Sequence, residues 1–371
     1  MFSILRCGVF FTLGLVCFCQ PVLADGELQK LKDETVAMLE QGQLEKAESA
    51  ATRALAIAEK AAPVDNLELA SCLHNLAAVL TQKTEFAKAE PLYKKALSIR
   101  EEKLGVDHLD VANTASMLAR LHGEQGRFDL ALPLQLRALA IREKQQGAES
   151  PLVAVLHVDI GQTYYDLAKY DDCKIHWERS LAINEKLFGK EHKEVATNLN
   201  NLGTLYDVTG RPKQAEQYFI RALAMRERLF APDSMDLAAT LNALGTFYYR
   251  KSEYEKSESA FLRATAIAEK NLGPDHPIVA ILIGNLASMY EEQGRVDEAI
   301  ALHLRELDIG EKTLGPEHPD VATTLNNLGI TYLGKQDLEK AEPMFRRALA
   351  ISEKILGPEH PDVANALNNV A

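Results

Sequence analysis

Residues 314–355 read LGPEHPDVATTLNNLGITYLGKQDLEKAEPMFRRALAISEKI, and a step of 42 residues in either direction meets the same pattern again. Leu314 falls over Leu272, and further steps back reach Phe230, Phe188, Gln146, Leu104 and Ala62; one step forward reaches Leu356. Self-similarity at a fixed period of roughly 20–50 residues marks a solenoid, in which each unit buries its apolar face against its neighbours. The whole chain after its first residues is this one repeat.

Within one copy, Val321, Leu325, Leu328 and Tyr332 recur at helical spacing, as do Leu338, Ala341, Phe345, Ala348, Leu349 and Ile351. The spacing predicts two amphipathic helices, Asp320–Lys335 and Leu338–Leu356. Gly357 then supplies a left-handed cap, Pro358 and Pro361 forbid continuation, and Pro361 with Asp362 suits the first turn of the next helix. Columns at the 42-residue step show what packs. Leu76, Leu118, Ile160, Leu202, Leu244, Leu286 and Leu328 are each followed by a small residue: Ala77, Ala119, Gly161, Gly203, Gly245, Ala287 and Gly329. A third column holds Leu80, His122, Tyr164, Tyr206, Tyr248, Tyr290 and Tyr332. On the second helix Ala47, Ala89, Ala131, Cys173, Ala215, Ser257, Ala299 and Ala341 stay small, so ridges of one helix can enter grooves of the next.

Leu328-Gly329, Tyr332, Ala341, Phe345 and Ala348 resemble the tetratricopeptide signature, whose usual copy is about 34 residues. The longer copy here, with its Leu-Gly-Pro-Glu-His-Pro-Asp linker and Asn-Asn-Leu-Gly core, is similar to the tetratricopeptide domain of kinesin light chains and their bacterial relatives. The resemblance covers about residues 28–371. It implies an all-α fold, a right-handed α-solenoid (superhelix) of stacked antiparallel helix pairs.

Taken in order, residues 1–24 carry Arg6, an apolar run from Cys7 to Cys19, and Val22-Leu23-Ala24. This reads as a secretory signal peptide cut before Asp25, with an uncleaved membrane tether as the alternative. Residues 25–61 form an amino-terminal capping copy, in which Glu34 and Thr35 stand where Leu-Gly is usual. Seven copies follow: 62–103, 104–145, 146–187, 188–229, 230–271, 272–313 and 314–355. Residues 356–371 give the first helix of a partial ninth, whose Val363, Leu367 and Val370 await a cover. An enzyme or signalling domain beyond residue 371, with these repeats as its sensor arm, is the alternative expectation that this ending raises.

The net charge is −12, and no basic stripe exists to neutralise phosphates, so nucleic acid is not an expected partner. No segment after the leader is expected to span a membrane. Cys72 and Cys173 fall more than two copies apart, out of disulfide reach. Cys173 and Trp177, the latter in the column of Tyr93, Phe219, Phe261 and Phe345, read as core. No phosphate loop, HExxH, paired CxxC or nucleophile elbow occurs, so no catalytic residue, metal or cofactor is expected. His108, His192, His276, His318 and His360 recur once per copy in the linker, too scattered for a metal site, and read as ties between linker and helix start. His303 and Glu306 break the aromatic and small columns in copy 272–313, either as a local contact surface or as drift.

The first helices of such a stack line a concave groove. One groove column holds His74, Ser116, Val158, Asn200, Asn242, Gly284 and Asn326. Its neighbour holds Asn75, Met117, Asp159, Asn201, Ala243, Asn285, Asn327 and Asn369. Asparagine is a mediocre helix former, so its recurrence mid-helix asks for another role, and each carboxamide can bond an extended peptide backbone. The family resemblance implies that Asn75, Asn200, Asn201, Asn285, Asn326 and Asn327 face bound peptide; a structural ladder between copies is the other reading, and both can hold. Further groove candidates are Arg120, Tyr165, Asp166, Asp207, Tyr249, Arg250, Glu291 and Glu292. Acid dominates toward the carboxy-terminal half, which favours partners with positive charge and departs from relatives that clamp acidic peptides with lysine and arginine. The expected function is a non-catalytic scaffold that binds other proteins through an extended segment, with self-association through the end copies as a further expectation.

Overall fold

The computed structural model describes residues 26–60 and 66–356, together with Leu367 and Asn369. The leader-like residues 1–24, and Gly357, Pro358, His360, Pro361, Asp362, Val363 and Val370, lie outside the described residues.

The described residues group into two compact units, one ending at Lys190 and one beginning at Glu191. The first holds α1 (Gly26–Glu40), α2 (Leu44–Lys60), α3 (Asn66–Gln82), α4 (Phe86–Leu104), α5 (Leu109–Glu124), α6 (Phe128–Gln146), α7 (Pro151–Asp166) and α8 (Tyr170–Phe188). The second holds α9 (Lys193–Val208), α10 (Pro212–Leu229), α11 (Met235–Arg250), α12 (Tyr254–Leu272), α13 (Pro277–Glu292), α14 (Val296–Thr313), α15 (Pro319–Gly334) and α16 (Leu338–Leu356). Every regular element among the described residues is a helix. In each unit an odd-numbered helix packs on the even-numbered one that follows, and that one on the next odd-numbered helix. Successive odd-numbered helices also touch, α1 with α3 and α5 with α3, and in the second unit α11 with both α9 and α13. The fold is an all-α solenoid of stacked helix pairs.

The small and aromatic columns interlock. A Cβ added at Gly203 would lie 2.8 Å from the Phe219 ring, at Gly245 2.6 Å from Phe261, and at Gly329 2.6 Å from Phe345; Gly161 meets Trp177 in the same way. Each glycine is thus the seat of a ring from the following helix, and the rings are fully buried or nearly so. Where the small residue is alanine, the position sixteen residues on is Tyr93, Gln135 or His303, and never Phe or Trp. The Trp177 Nε1 also donates to the Val158 carbonyl at 3.1 Å. The alanine-like column of the second helices, Cys173 included, is at most 2 % exposed, because two backbones approach there. Burial raises the thiol of Cys72 to about 11 and that of Cys173 to about 12, so neither is a nucleophile, and both are free.

Both kinds of connection depend on positive φ. The turn inside each hairpin places its central residue in the left-handed region. That residue is glycine in four copies (Gly42, Gly126, Gly210, Gly294) but Thr84, Ala168, Ser252 or Gln336 in the others. The latter four hold a conformation that costs L-residues about 1 kcal/mol. Between hairpins, Gly105, Gly147, Gly189 and Gly273 have φ near +80 to +90° but ψ of 157–176°, not the left-handed helical cap the repeat suggested for this position. The physical reason is direction: the chain must extend into the linker rather than curl back. Ala231 occupies this column in one copy, cannot adopt that conformation, and α10 accordingly stops at Leu229 with Phe230 extended.

The linker histidines cap the next helix. Nδ1 of His108, His192, His276 and His318 accepts the backbone N–H two residues on, at 3.1–3.3 Å, and Ser150 and Ser234 do the same work in the alternate copies. Deeper in, buried arginines clamp three helices at once. Arg100 of α4 donates to Thr114 and the Asp110 carbonyl of α5, at 2.6 and 3.2 Å, and reaches Ser71 of α3 at 3.5 Å. Arg226 of α10 bonds Thr197 of α9 at 3.0 Å and Thr240 of α11. On the outside, Glu101–Arg137, Glu227–Arg263, Glu269–Arg305 and Glu311–Arg347 join successive second helices. Partly exposed, each of these pairs contributes only a few tenths of a kcal/mol to about 1 kcal/mol.

Histidines whose pKa is lowered in the fold set a pH dependence. Burial, reinforced by the Arg100 charge, pushes His74 down to about 3, and burial, then the charges of His176 and Arg179, push His157 to about 4. Burial also lowers His192 and His276. A depressed folded pKa gives stability that is present above the ordinary 6.5 and is lost as pH falls, about 1.4 kcal/mol per pH unit for a group that stays neutral when folded. The thermal midpoint is therefore expected to fall steeply between pH 6 and 4, as followed by circular dichroism, and His74→Leu should flatten that limb. An unchanged acid limb in the variant would show that His74 does not set it.

Candidate functional site on the first-helix face

The two asparagine columns lie mid-helix on the odd-numbered helices, and their environments differ from copy to copy. His74, Asn75, Asn242 and Asn285 are buried; Asn200, Asn201, Asn326 and Asn327 are half-buried; Asp159 and Asn369 are exposed. In the unit beginning at Glu191, Asn285 Nδ2 donates to Asn242 Oδ1 at 2.9 Å, and Asn369 Nδ2 to Asn326 Oδ1 at 2.6 Å. These rungs link positions 43 residues apart. The same offset from Asn200 meets Ala243, whose methyl offers no bond, and the Asn200 Oδ1 is closed to solvent with no partner among the described residues. The same offset back from Asn327 meets Gly284, which likewise has no side chain to offer. Closed and open rungs alternate: Asn242 and Asn285 serve as a bridge between copies, whereas Asn200 and Asn327 lack a reciprocal side chain at that offset.

The other candidates divide between the units. In the unit ending at Lys190, Asn75, Arg120 and Tyr165 lie on α3, α5 and α7 in turn. Arg120 Nε donates to Glu124 at 3.1 Å, Tyr165 stacks on Trp177 with centroids 5.7 Å apart, and Asp166 accepts from Gln162 at 3.1 Å. In the unit beginning at Glu191, Asp207 and Arg250 are brought together as an ion pair. The Tyr249 ring lies 6.4 Å from Tyr254, and burial, then Glu292, raises its hydroxyl to about 12.

His303 is the buried centre of an ionic network with two half-buried glutamates, Glu306 and Glu291. The His303 ring is wholly enclosed, with Nδ1 2.8 Å from Glu306 Oε2 and Nε2 3.4 Å from Glu291 Oε1. Thr324 of α15 donates to Glu306 at 3.1 Å, and Thr331 donates to Glu291. The Glu306 carboxylate rests on Gly284, where a Cβ would stand 2.7 Å from it. Burial works to lower the His303 pKa, but the bonds to the two glutamates outweigh it and raise it to about 9. The imidazolium sits between two carboxylates, and the residues that depart from their columns at 284, 303 and 306 meet one another.

Sequence reasoning missed this network, the arginine clamps and one further pair. His157 and His176 approach through their Nδ1 atoms at 2.9 Å, within hydrogen-bonding distance. The clamps left a readable trace: Arg100, Arg142 and Arg226 share one column, and Asn113, Thr114, Thr197 and Thr240 share two adjacent ones. Among the described residues no group of three or more His, Cys, Asp or Glu side chains is placed to hold a metal ion, and no helix is long and apolar enough to cross a membrane.

Stacked helix pairs with carboxamides on one face define a class of repeat proteins, and comparison names it. The family model described as Tetratricopeptide repeat matches residues 68–144, 147–228, 236–302, 279–354 and 334–371. The chain belongs to the tetratricopeptide repeat family, in its 42-residue, kinesin-light-chain-like form. Among solved structures it is similar to BtubC (BKLC) from P. vanneervenii, at 29 % identity and a TM-score of 0.52, over 61 % of this chain and 91 % of that one. The quorum sensor NprR from B. thuringiensis is similar at 14 % identity and a TM-score of 0.67, over 89 % of each chain. A Rap protein complexed with Competence and Sporulation Factor is similar at 16 % identity and 0.64, over 91 % of this chain and 89 % of that one. The last two likenesses concern the fold alone. A comparison with curated protein sequences returned no match.

Proposed function

We propose that this protein is a non-catalytic scaffold for protein–protein interaction, holding an extended segment of a partner along the face of its first helices. One observation carries the reading: the open rungs. Asn200 and Asn327 are half-buried and face Ala243 and Gly284 at the rung offset, and the half-buried Asn201 stands in the same columns. Each half-buried carboxamide still offers donors and an acceptor on this face that the backbone of an extended guest chain can pair. We further propose that the chain is exported, with residues 1–24 removed as a signal peptide; a mature protein whose amino-terminal sequence still begins at Met1 would replace this with membrane tethering.

The test is recovery of partners from the cell-envelope fraction by immobilised wild type and by the Asn201→Ala, Asn327→Ala double variant. The double variant is expected to lose partner recovery several-fold while its thermal midpoint holds. Asn242→Ala serves as the contrast: it strands Asn285 and should lower stability by about 1–3 kcal/mol without entering the docking strip directly. Equal recovery by wild type and the double variant would overturn the docking assignment.

A further inference from the structure

The unit ending at Lys190 carries a carboxylate that its neighbours leave un-neutralised. Asp159 stands on α7 in the column of Asn75, is exposed, and its side chain makes no hydrogen bond or ion pair among the described residues. Its own carbonyl is occupied, accepting from Gln135 at 3.4 Å and Thr163 at 3.1 Å, so the backbone is fixed while the carboxylate is not. The cation that acts on it, Arg120 of α5, is held by Glu124. Helical spacing puts Asp166 on the same side of α7, adding to the negative charge rather than balancing it.

We infer that Asp159 determines specificity on this face: the partner segment docked on this unit presents a lysine or arginine side chain to it. This rests on the reading of the first-helix face as a docking strip. Asp159 places a negative charge where other copies carry a neutral asparagine in the same column. An ammonium or guanidinium at hydrogen-bonding distance of this carboxylate forms a charge-assisted bond. The half-buried Val158 beside it, and Met117 in its own column on α5, offer apolar surface for the stem of a long basic side chain.

The test uses the full chain and a phage-displayed library of random peptides, panned on wild type, Asp159→Asn and Asp159→Lys. Wild type is expected to enrich lysine- or arginine-bearing peptides. Those peptides should bind Asp159→Asn about tenfold or more weakly, and Asp159→Lys should turn the enrichment toward acidic sequences. The Asp159→Asn midpoint should equal or exceed that of wild type. Peptides enriched without basic preference, or bound equally by Asp159→Asn, overturn the specificity while leaving the docking strip in place. Failure of every protein to enrich peptides overturns both. A lowered midpoint in Asp159→Asn would show the carboxylate to be structural and sink the inference.

Discussion

Replacing His303 with phenylalanine is expected to cost about 3 kcal/mol or more, although it restores the residue type of its column. Two losses combine. Glu291 and Glu306 lose the imidazolium between them, and the more enclosed Glu306 is left on Gly284 without its counter-charge. The new ring would also meet the Cβ of Ala287, whereas the rings of Phe219, Phe261 and Phe345 sit on glycines where a Cβ would approach within 2.8 Å. The informative comparison is the triple variant His303→Phe, Glu306→Ala, Ala287→Gly, which rebuilds the hairpin of the neighbouring copies. Apolar replacement of a buried ion pair is often neutral or stabilising by about 1–4 kcal/mol, and the remaining Glu291 is 28 % exposed and can turn to water, so the triple variant should return to wild-type stability or exceed it. Urea midpoints, with amide exchange across α13 to α15 to localise the effect, decide the matter. A single variant as stable as wild type would show that the network carries no weight. In wild type, a folded pKa raised to about 9 gives stability present below 6.5 and lost as pH rises through 9. The variant should lack that alkaline loss.

The second large effect concerns the ring seats. Phe261→Ala should destabilise by about 3–5 kcal/mol, the usual cost of emptying a fully buried aromatic position. Gly245→Ala should cost about 1–3 kcal/mol, because the added methyl would stand 2.6 Å from that ring and the helix backbone cannot retreat. Combined, the two should cost less than the sum of the single effects, since the methyl occupies part of the space the ring vacates. Additivity within about 0.5 kcal/mol would mean that the glycine is kept for a reason other than the ring.

Much of this was legible without coordinates. The expected helices Asp320–Lys335 and Leu338–Leu356 differ from α15 and α16 by one residue at each end of the first and none in the second. The histidine caps were readable too, because a cap is a contact between residues two positions apart. The docking columns were found but not sorted. Asn75, Asn242 and Asn285 look the same in the sequence as Asn201 and Asn327, yet the former are buried and the latter half-buried.

What the sequence alone determined is everything that repeats: the period, the helix pair, its turns and its packed columns. Those features are set by local conformational preference and by contacts that every copy makes in the same way, so a pattern summed over seven copies reveals them. The tertiary structure alone decided what is particular to one copy. Whether Asn200 finds a partner depends on Ala243, and whether Glu306 can be buried depends on Gly284, His303 and Thr324 together. Such pairings turn on which side chains meet across neighbouring helices at distances of 3 Å or so, and a burial or a charge is satisfied or left open only once that meeting is known.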